Sequence, residues 1–246
     1  MYFKTEGLVL RETEYKDADK LLTVLTKDRG KLTLRARGVR SKSSCLKSGC
    51  QLLAYSEFTV FENRSQQLID EAVPIALFMP LRADIEQLSL ATYFAQVAEV
   101  LSQEDYPDPE LLSLCLNALY ALAELKKPQT LVKAAFELRA ACQAGYLPNL
   151  GGCTVCGNRE ADRFLVSAGS LQCAGCLSDG EGLRLPVHSG ALAALRYISS
   201  CDLKRLFSFR ISDDSLKELS DIAETYLLTQ LERGFFTLDF YKSMKI

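Results

Sequence analysis

The sequence predicts an α+β protein: an N-terminal five-stranded β-barrel, then an α-helical domain that carries a four-cysteine zinc module. Three observations predict it. Short β-rich runs separated by turn signals fill about the first 75 residues. Apolar residues then recur at helical spacing. Four cysteines follow as C-x2-C-x16-C-x2-C within the helical part.

The strand runs are Gly7–Leu10, Leu21–Thr26, Lys31–Arg37, about Leu52–Glu62 and Gln67–Val73. Asp28-Arg29-Gly30 signals a turn between the second and third runs, and Asn63-Arg64-Ser65 one between the last two. The third run alternates: Leu32, Leu34 and Ala36 share one face, and Lys31, Thr33, Arg35 and Arg37 the other. Residues 38–50 are rich in Gly and Ser and read as a flexible loop. Five short strands in this space suggest a small barrel, and an OB-fold is the best-known candidate.

After Pro74 and Pro80 the pattern becomes helical, so the domains are expected at 1–80 and 81–246, with the zinc module at about 150–180. Residues 82–104 are broadly apolar. Asp108-Pro109 is an N-cap with Pro at the first helical position, and Leu112, Cys115, Leu116, Leu119 and Leu122 form a stripe. Thr130 is expected to cap a helix that buries Leu131, Ala134, Ala135, Leu138 and Cys142, and Gly145 to close it. Two more helices are expected, Ser189 to about Ser199 and another starting after Ser212 and ending before Gly234.

Composition narrows the function. No long uninterrupted apolar run supports a membrane span, and Met1–Glu6 lacks the core of a signal peptide, so a cytoplasmic location is expected. One histidine among 246 residues leaves little for triad or multi-histidine chemistry. No phosphate-binding Gly-x-x-x-x-Gly-Lys occurs. No enzymatic activity and no small-molecule substrate are expected. The net charge of −2 hides a split. Residues 1–50 hold twelve Lys/Arg and six Asp/Glu, a net of +6, whereas the rest holds 17 and 25, a net of −8. A basic end meets polyanions.

Each Cys-x-x-Cys forms a knuckle that aims two thiolates at one point, so Cys153, Cys156, Cys173 and Cys176 can close a tetrahedral shell around a structural zinc. The alternative is two buried or redox-active cysteine pairs. Cys115 and Cys142 read as core, Cys45, Cys50 and Cys201 have no assignment, and His188 reads as a loop or capping residue. The second signal is Lys27, Arg29, Lys31, Arg35, Arg37, Arg40, Lys42 and Lys47, interrupted by one acid, Asp28. On the polar strand face and the following loop these make a track for a phosphate backbone. The competing reading is a solvated face on a zinc-ribbon adaptor that binds proteins. Tyr2, Phe3, Tyr15, Tyr55 and Phe58 could offer stacking surfaces, although most aromatics of a small barrel are core.

Several segments resemble the bacterial recombination mediator family RecO. They are Glu6-Gly7-Leu8-Val9-Leu10-Arg11, Asp19–Thr26, Gly30-Lys31, Ala36-Arg37-Gly38-Val39-Arg40, Phe136-Glu137-Leu138-Arg139, Gly145-Tyr146-Leu147-Pro148 and Cys153-x-x-Cys156-Gly157. The resemblance implies an N-terminal OB-fold barrel and an α-helical domain with a four-cysteine zinc-binding insertion. It implies binding of single-stranded and also double-stranded DNA, annealing of complementary strands, and assistance to recombinase loading. The implied partners are RecR and the acidic tail of single-strand-binding protein, and the implied location is the nucleoid. Carried over by position, Lys31, Arg35, Arg37, Arg40 and Lys42 become candidate DNA contacts, to which the basic track itself adds Lys47, and the four module cysteines become the metal ligands. An acidic, apolar-ended peptide needs an apolar groove with a cationic rim, expected between the helices of 82–145 and 189–233. Arg139 is the cation nominated for it, with a structural ion pair as the alternative.

Overall fold

The structure, a computed structural model, describes residues 1–63, 66–176 and 182–244. Five strands, β1 (Tyr2–Tyr15), β2 (Asp19–Thr26), β3 (Lys31–Ala36), β4 (Tyr55–Glu62) and β5 (Gln67–Ala76), close a barrel in the order β1-β2-β3-β5-β4. The first strand is far longer than the apolar run Gly7–Leu10 suggests, because it serves two neighbours. Its first half pairs with β4 and its second half with β2, with a bulge between Val9 and Arg11 where the strand turns. Closure is completed by a short parallel pairing, Arg35 with Leu68 and Ala36 with Ile69. Val9, Leu22, Val24, Leu34, Phe58 and Val60 fill the interior.

The Asp28-Arg29-Gly30 turn is present. The Thr26 amide donates to the Gly30 carbonyl at 2.9 Å. Gly30 sits at φ +68°, and a Cβ there would lie 2.5 Å from the Tyr106 backbone nitrogen. Both facts require glycine. The turn expected at Asn63-Arg64-Ser65 falls partly outside the described residues. The stretch 38–50 is not a loose loop. It folds as successive turns, and its Val39, Leu46 and Cys50 are buried in the barrel core. The apolar residues recur with no strand or helix period, so composition alone hides their burial.

The chain divides into two compact units, residues 1–125 with 235–246, and residues 126–234. This division differs from the expected break at residue 80. In the first unit the barrel is followed by α1 (Met79–Arg82), α2 (Ile85–Leu101) and α3 (Pro109–Ala123). Asp84 caps α2 by accepting from the Glu86 and Gln87 amides, and Asp108 caps α3 through the Leu111 amide.

The second unit holds α4 (Gln129–Gln143), α5 (Ser189–Ser200) and α6 (Asp213–Gln230). Thr130 is not the cap of α4. Pro128 occupies that position, and Thr130 lies in the first turn. Gly145 closes the helix at φ +95° as expected. Between α4 and α5 lies a small sheet, β6 (Asn149–Cys153), β7 (Arg163–Leu165), β8 (Ser170–Gln172) and β9 (Arg184–Pro186), in the order β6-β8-β7-β9. These strands are too short to carry a periodic signal. Inside the unit Lys133 and Glu137 are buried one helical turn apart, at 2.9 Å, and Glu224 of α6 completes a triad at 2.7 Å from the ammonium. Burial pulls the Lys133 pKa down, and the two carboxylates overcome it, so the net shift is upward. The last helix, α7 (Phe236–Ser243), has no counterpart among the helices expected from the sequence. It belongs to the first unit, packs on α2, and follows Phe235, whose ring meets Tyr93 edge-on at 5.6 Å.

Candidate nucleic-acid face and metal centre

The alternation of β3 is realised: Leu32, Leu34 and Ala36 are buried, and Lys31, Thr33 and Arg35 face outward. The outward cations are not equivalent. The Arg35 guanidinium donates from Nε and Nη2 to Asp19 Oδ2 at 2.8 and 2.6 Å, and lies 5.0 Å from the Tyr15 ring centroid. Its side chain is only 14% exposed. Asp19 Oδ1 accepts the Gly38 amide at 2.8 Å. That backbone bond, and then Arg35, hold the Asp19 carboxyl below the usual carboxylate range. Asp19 therefore ties the start of β2 to the end of β3 and to the turn beyond it.

Lys31 Nζ donates to the Glu99 carbonyl at 2.8 Å. Arg40 pairs with Glu14 at 3.2 Å, Lys27 with Glu6 at 3.5 Å, and Arg29 covers the Phe3 ring at 3.9 Å. Arg37, Lys42 and Lys47 are exposed and have no hydrogen bond or ion pair among the described residues. All three lie on the connection between β3 and β4. A cleft of about 500 Å³ runs along the outer edge of β3, lined by Tyr15, Lys31, Thr33, Arg35, Gln66 and Glu104, among others. Among the aromatics nominated for stacking, Phe58 is core and the Tyr55 hydroxyl donates to Glu6 at 2.6 Å, while Tyr2 is 60% exposed.

The four module cysteines converge. Their sulfurs lie within 4.8 Å of one another, so this cluster can hold a metal ion. Cys156 and Cys173 are 3.8 Å apart, Sγ to Sγ. The edge of a tetrahedron with metal–sulfur bonds of about 2.3 Å is about 3.8 Å, so the donor set fits zinc. The first knuckle is built by Gly157 at φ +76°, with its amide donating to the Cys153 carbonyl at 2.9 Å. In the second, the Cys176 amide donates to the Cys173 carbonyl at 2.9 Å. Backbone amides, led by that of Cys156, pull the Cys153 thiol down to about 6. Its neighbour Cys176 is pushed up to about 12, first by its hydrogen bond with Cys156 and then by burial. Thiolates this close repel one another, and a divalent cation reverses that balance.

The sequence nomination of Arg139 meets a different environment. Its guanidinium donates to the Ser199 carbonyl at 3.4 Å and, more closely, to the Cys201 carbonyl, both at the C-terminal end of α5. These bonds spend the fork on orphan helix carbonyls inside the unit. Sequence reasoning missed Arg159 and Arg196, which line a cleft of about 600 Å³ with Leu147, Pro148, Leu150 and Ser200. Arg196 of α5 donates to the Leu150 carbonyl of β6 at 2.9 Å and to the Arg159 carbonyl at 2.7 Å, contacts that only the tertiary packing creates. Cys115 is buried as expected, and Cys142 is partly so. His188 occupies the N-cap of α5 and pairs with Glu218.

Residues 1–78 match the family model for the recombination protein O N terminal, and residues 82–239 that for the recombination protein O C terminal. A DNA repair protein RecO of Acetivibrio thermocellus is 33% identical over 99% of this chain and 97% of its own length. Its namesake in Desulforudis audaxviator is 32% identical over 99% and 98%, and that of Alkaliphilus metalliredigens 29% over 99% and 100%. No described helix is long and apolar enough to cross a membrane.

Proposed function

This chain belongs to the RecO family of DNA repair proteins, and from that membership we propose a mediator role. It binds single-stranded DNA, anneals complementary strands, and helps a recombinase load onto strands coated by single-strand-binding protein. The observation that carries the proposal is the group Arg37, Lys42 and Lys47: three exposed cations with no hydrogen bond or ion pair among the described residues, on one connection of the barrel. A cation already paired must exchange one anion for another. A free one gains the phosphate and releases its counterion. Contacts of this kind position a backbone without reading sequence, so duplex DNA is bound as well. Annealing follows from the same charges, because two polyanions approach only when their repulsion is neutralised.

Zinc held by Cys153, Cys156, Cys173 and Cys176 is structural in this reading. Four thiolates close its shell and leave no position for a substrate, and metal binding supplies folding free energy to a module of very short strands. RecR and the acidic tail of single-strand-binding protein are the proposed partners. With Arg139 held by the end of α5, and Arg196 by the Leu150 and Arg159 carbonyls, the cation left to the rim for the tail is Arg159, beside the apolar Leu147, Pro148 and Leu150. The protein then works in the cytoplasm, at the nucleoid.

The test is annealing of two complementary strands, each coated with single-strand-binding protein, with and without this protein. Acceleration that disappears when Arg37, Lys42 and Lys47 are replaced by Ala supports the reading. No acceleration by the wild type, with oligonucleotide affinity too weak to measure, turns the case to the protein-binding adaptor.

A further inference from the structure

Resting on the reading of the barrel as a single-strand-binding module, we propose that the outward row Tyr2, Phe61 and Leu68 is a base-stacking platform. The register aligns these residues across neighbouring strands. Tyr2 of β1 opposes Phe61 of β4, Phe61 opposes Leu68 of β5, and Leu68 opposes Arg35 of β3. Residues directly opposite in a sheet share a face. The adjoining row, Phe3, Val60, Ile69 and Ala36, points the other way and packs in or against the barrel core. The Tyr2 row is therefore external, and the interior does not dictate its composition.

Its neighbour on the same outer face, Lys4, Thr59 and Glu71, is polar, as a solvated barrel surface should be. Against that pattern an aromatic and aliphatic row is an exception. The Tyr2 and Phe61 rings form a tilted pair with centroids 5.0 Å apart, and Tyr2 stays mostly exposed. The pair thus presents ring surface to solvent.

Charge selects the occupant. At one end the row reaches Arg35 beside Tyr15, and two residues further on stands Arg37, the first of the unpaired cations. Three strand spacings separate Tyr2 from Arg35, about 14 Å in all, the reach of a few nucleotides. Stacking surface leading into free cations is the arrangement that holds bases and phosphates of one strand together. A duplex keeps its base faces stacked inside, so the row acts only on single strands. A protein partner would also find the ring surface, but would leave the run into unpaired cations unexplained.

The sequence contains no tryptophan, so Tyr2→Trp in the full-length protein gives an emission signal from this position alone. Oligothymidine should quench it, and a blunt duplex with the same number of phosphates should not. Tyr2→Ala should weaken oligothymidine binding roughly 5- to 150-fold, with the slope of log K against log salt unchanged. Tyr2→Phe should restore wild-type affinity. Thermal melts of these variants should match the wild type, since Tyr2 lies outside the core. Absent quenching with unaltered Tyr2→Ala affinity, while the Arg37, Lys42 and Lys47 variant still loses binding, overturns the platform and leaves the DNA-binding reading intact. Equal quenching by the duplex also overturns it. A wild type that binds no oligonucleotide removes both.

Discussion

Replacing Arg37, Lys42 and Lys47 together by Ala deletes three exposed charges that make no hydrogen bond or ion pair among the described residues, Arg37 acting only at a distance as the last of the groups that lower the Asp19 pKa. The thermal stability should therefore stay within about 0.5 kcal/mol of wild type. Binding should change in a way that can be worked out. On single strands each phosphate contact contributes about 0.7 to the slope of log K against log salt. Three lost contacts reduce that slope by about 2 units. Between about 50 and 200 mM salt the wild type should then lose about 20-fold more affinity than the variant. Anisotropy titrations of labelled oligothymidine over a salt series measure this directly. Arg35→Ala is the contrasting control. It strips Asp19 Oδ2 of both its guanidinium donors, on a side chain that is almost covered, so it should cost about 1–3 kcal/mol of stability. A triple variant that melts like wild type and keeps the wild-type salt slope would refute the assignment of these cations to phosphate.

Protein purified without chelator should carry one zinc per chain by metal analysis, and Cys153→Ser should lose the metal and melt at lower temperature; metal-free wild type with an intact melt would count against the structural centre. Lys133→Met leaves Glu137 and Glu224 without their shared cation, one of them fully buried, and should cost about 3–5 kcal/mol in urea unfolding. A variant as stable as wild type would show that the triad contributes nothing. Gly30→Ala forces an L-residue into φ +68° and against the Tyr106 backbone, so it should lose at least about 1–2 kcal/mol; an unchanged melting temperature would contradict the close approach.

What the sequence discloses is what repeats locally. Leu32, Leu34 and Ala36 could be assigned to the core because burial in a strand has period two. Asp108 could be named a cap because capping is settled within three residues. The cysteine cluster was legible because two knuckles carry their own geometry. Signals fail where the structure depends on distant partners. The break after Pro80 marks the end of the barrel strands and the junction of the two family models. The first compact unit nevertheless continues to residue 125 and regains 235–246. In α7, Phe236 and Phe240 are exposed while Leu238 and Tyr241 are buried, and an eight-residue helix with both faces apolar shows no clean stripe.

The basic stretch shows why this matters for function. All eight of its cations look alike in sequence, and alternation sends Arg35 and Arg37 to the same polar face. Yet Asp19, sixteen positions before Arg35, reaches that face through the pairing of β2 with β3 and takes Arg35 as its partner. Glu6 and Glu14 pair with Lys27 and Arg40 in the same manner, while Arg29 lies over the Phe3 ring and Lys31 donates to the Glu99 backbone carbonyl. Net charge attracts a polyanion from a distance regardless of such pairing, because the field sums over all groups. Tight contact depends on which cations can turn to a phosphate without abandoning an anion, a carbonyl or a ring already engaged, and tertiary structure alone decides that. A double change of Arg35 and Arg37, the natural choice from the strand pattern, would mix a stability defect with a binding defect. Separating Arg35 from Arg37, Lys42 and Lys47 makes the two effects independently measurable.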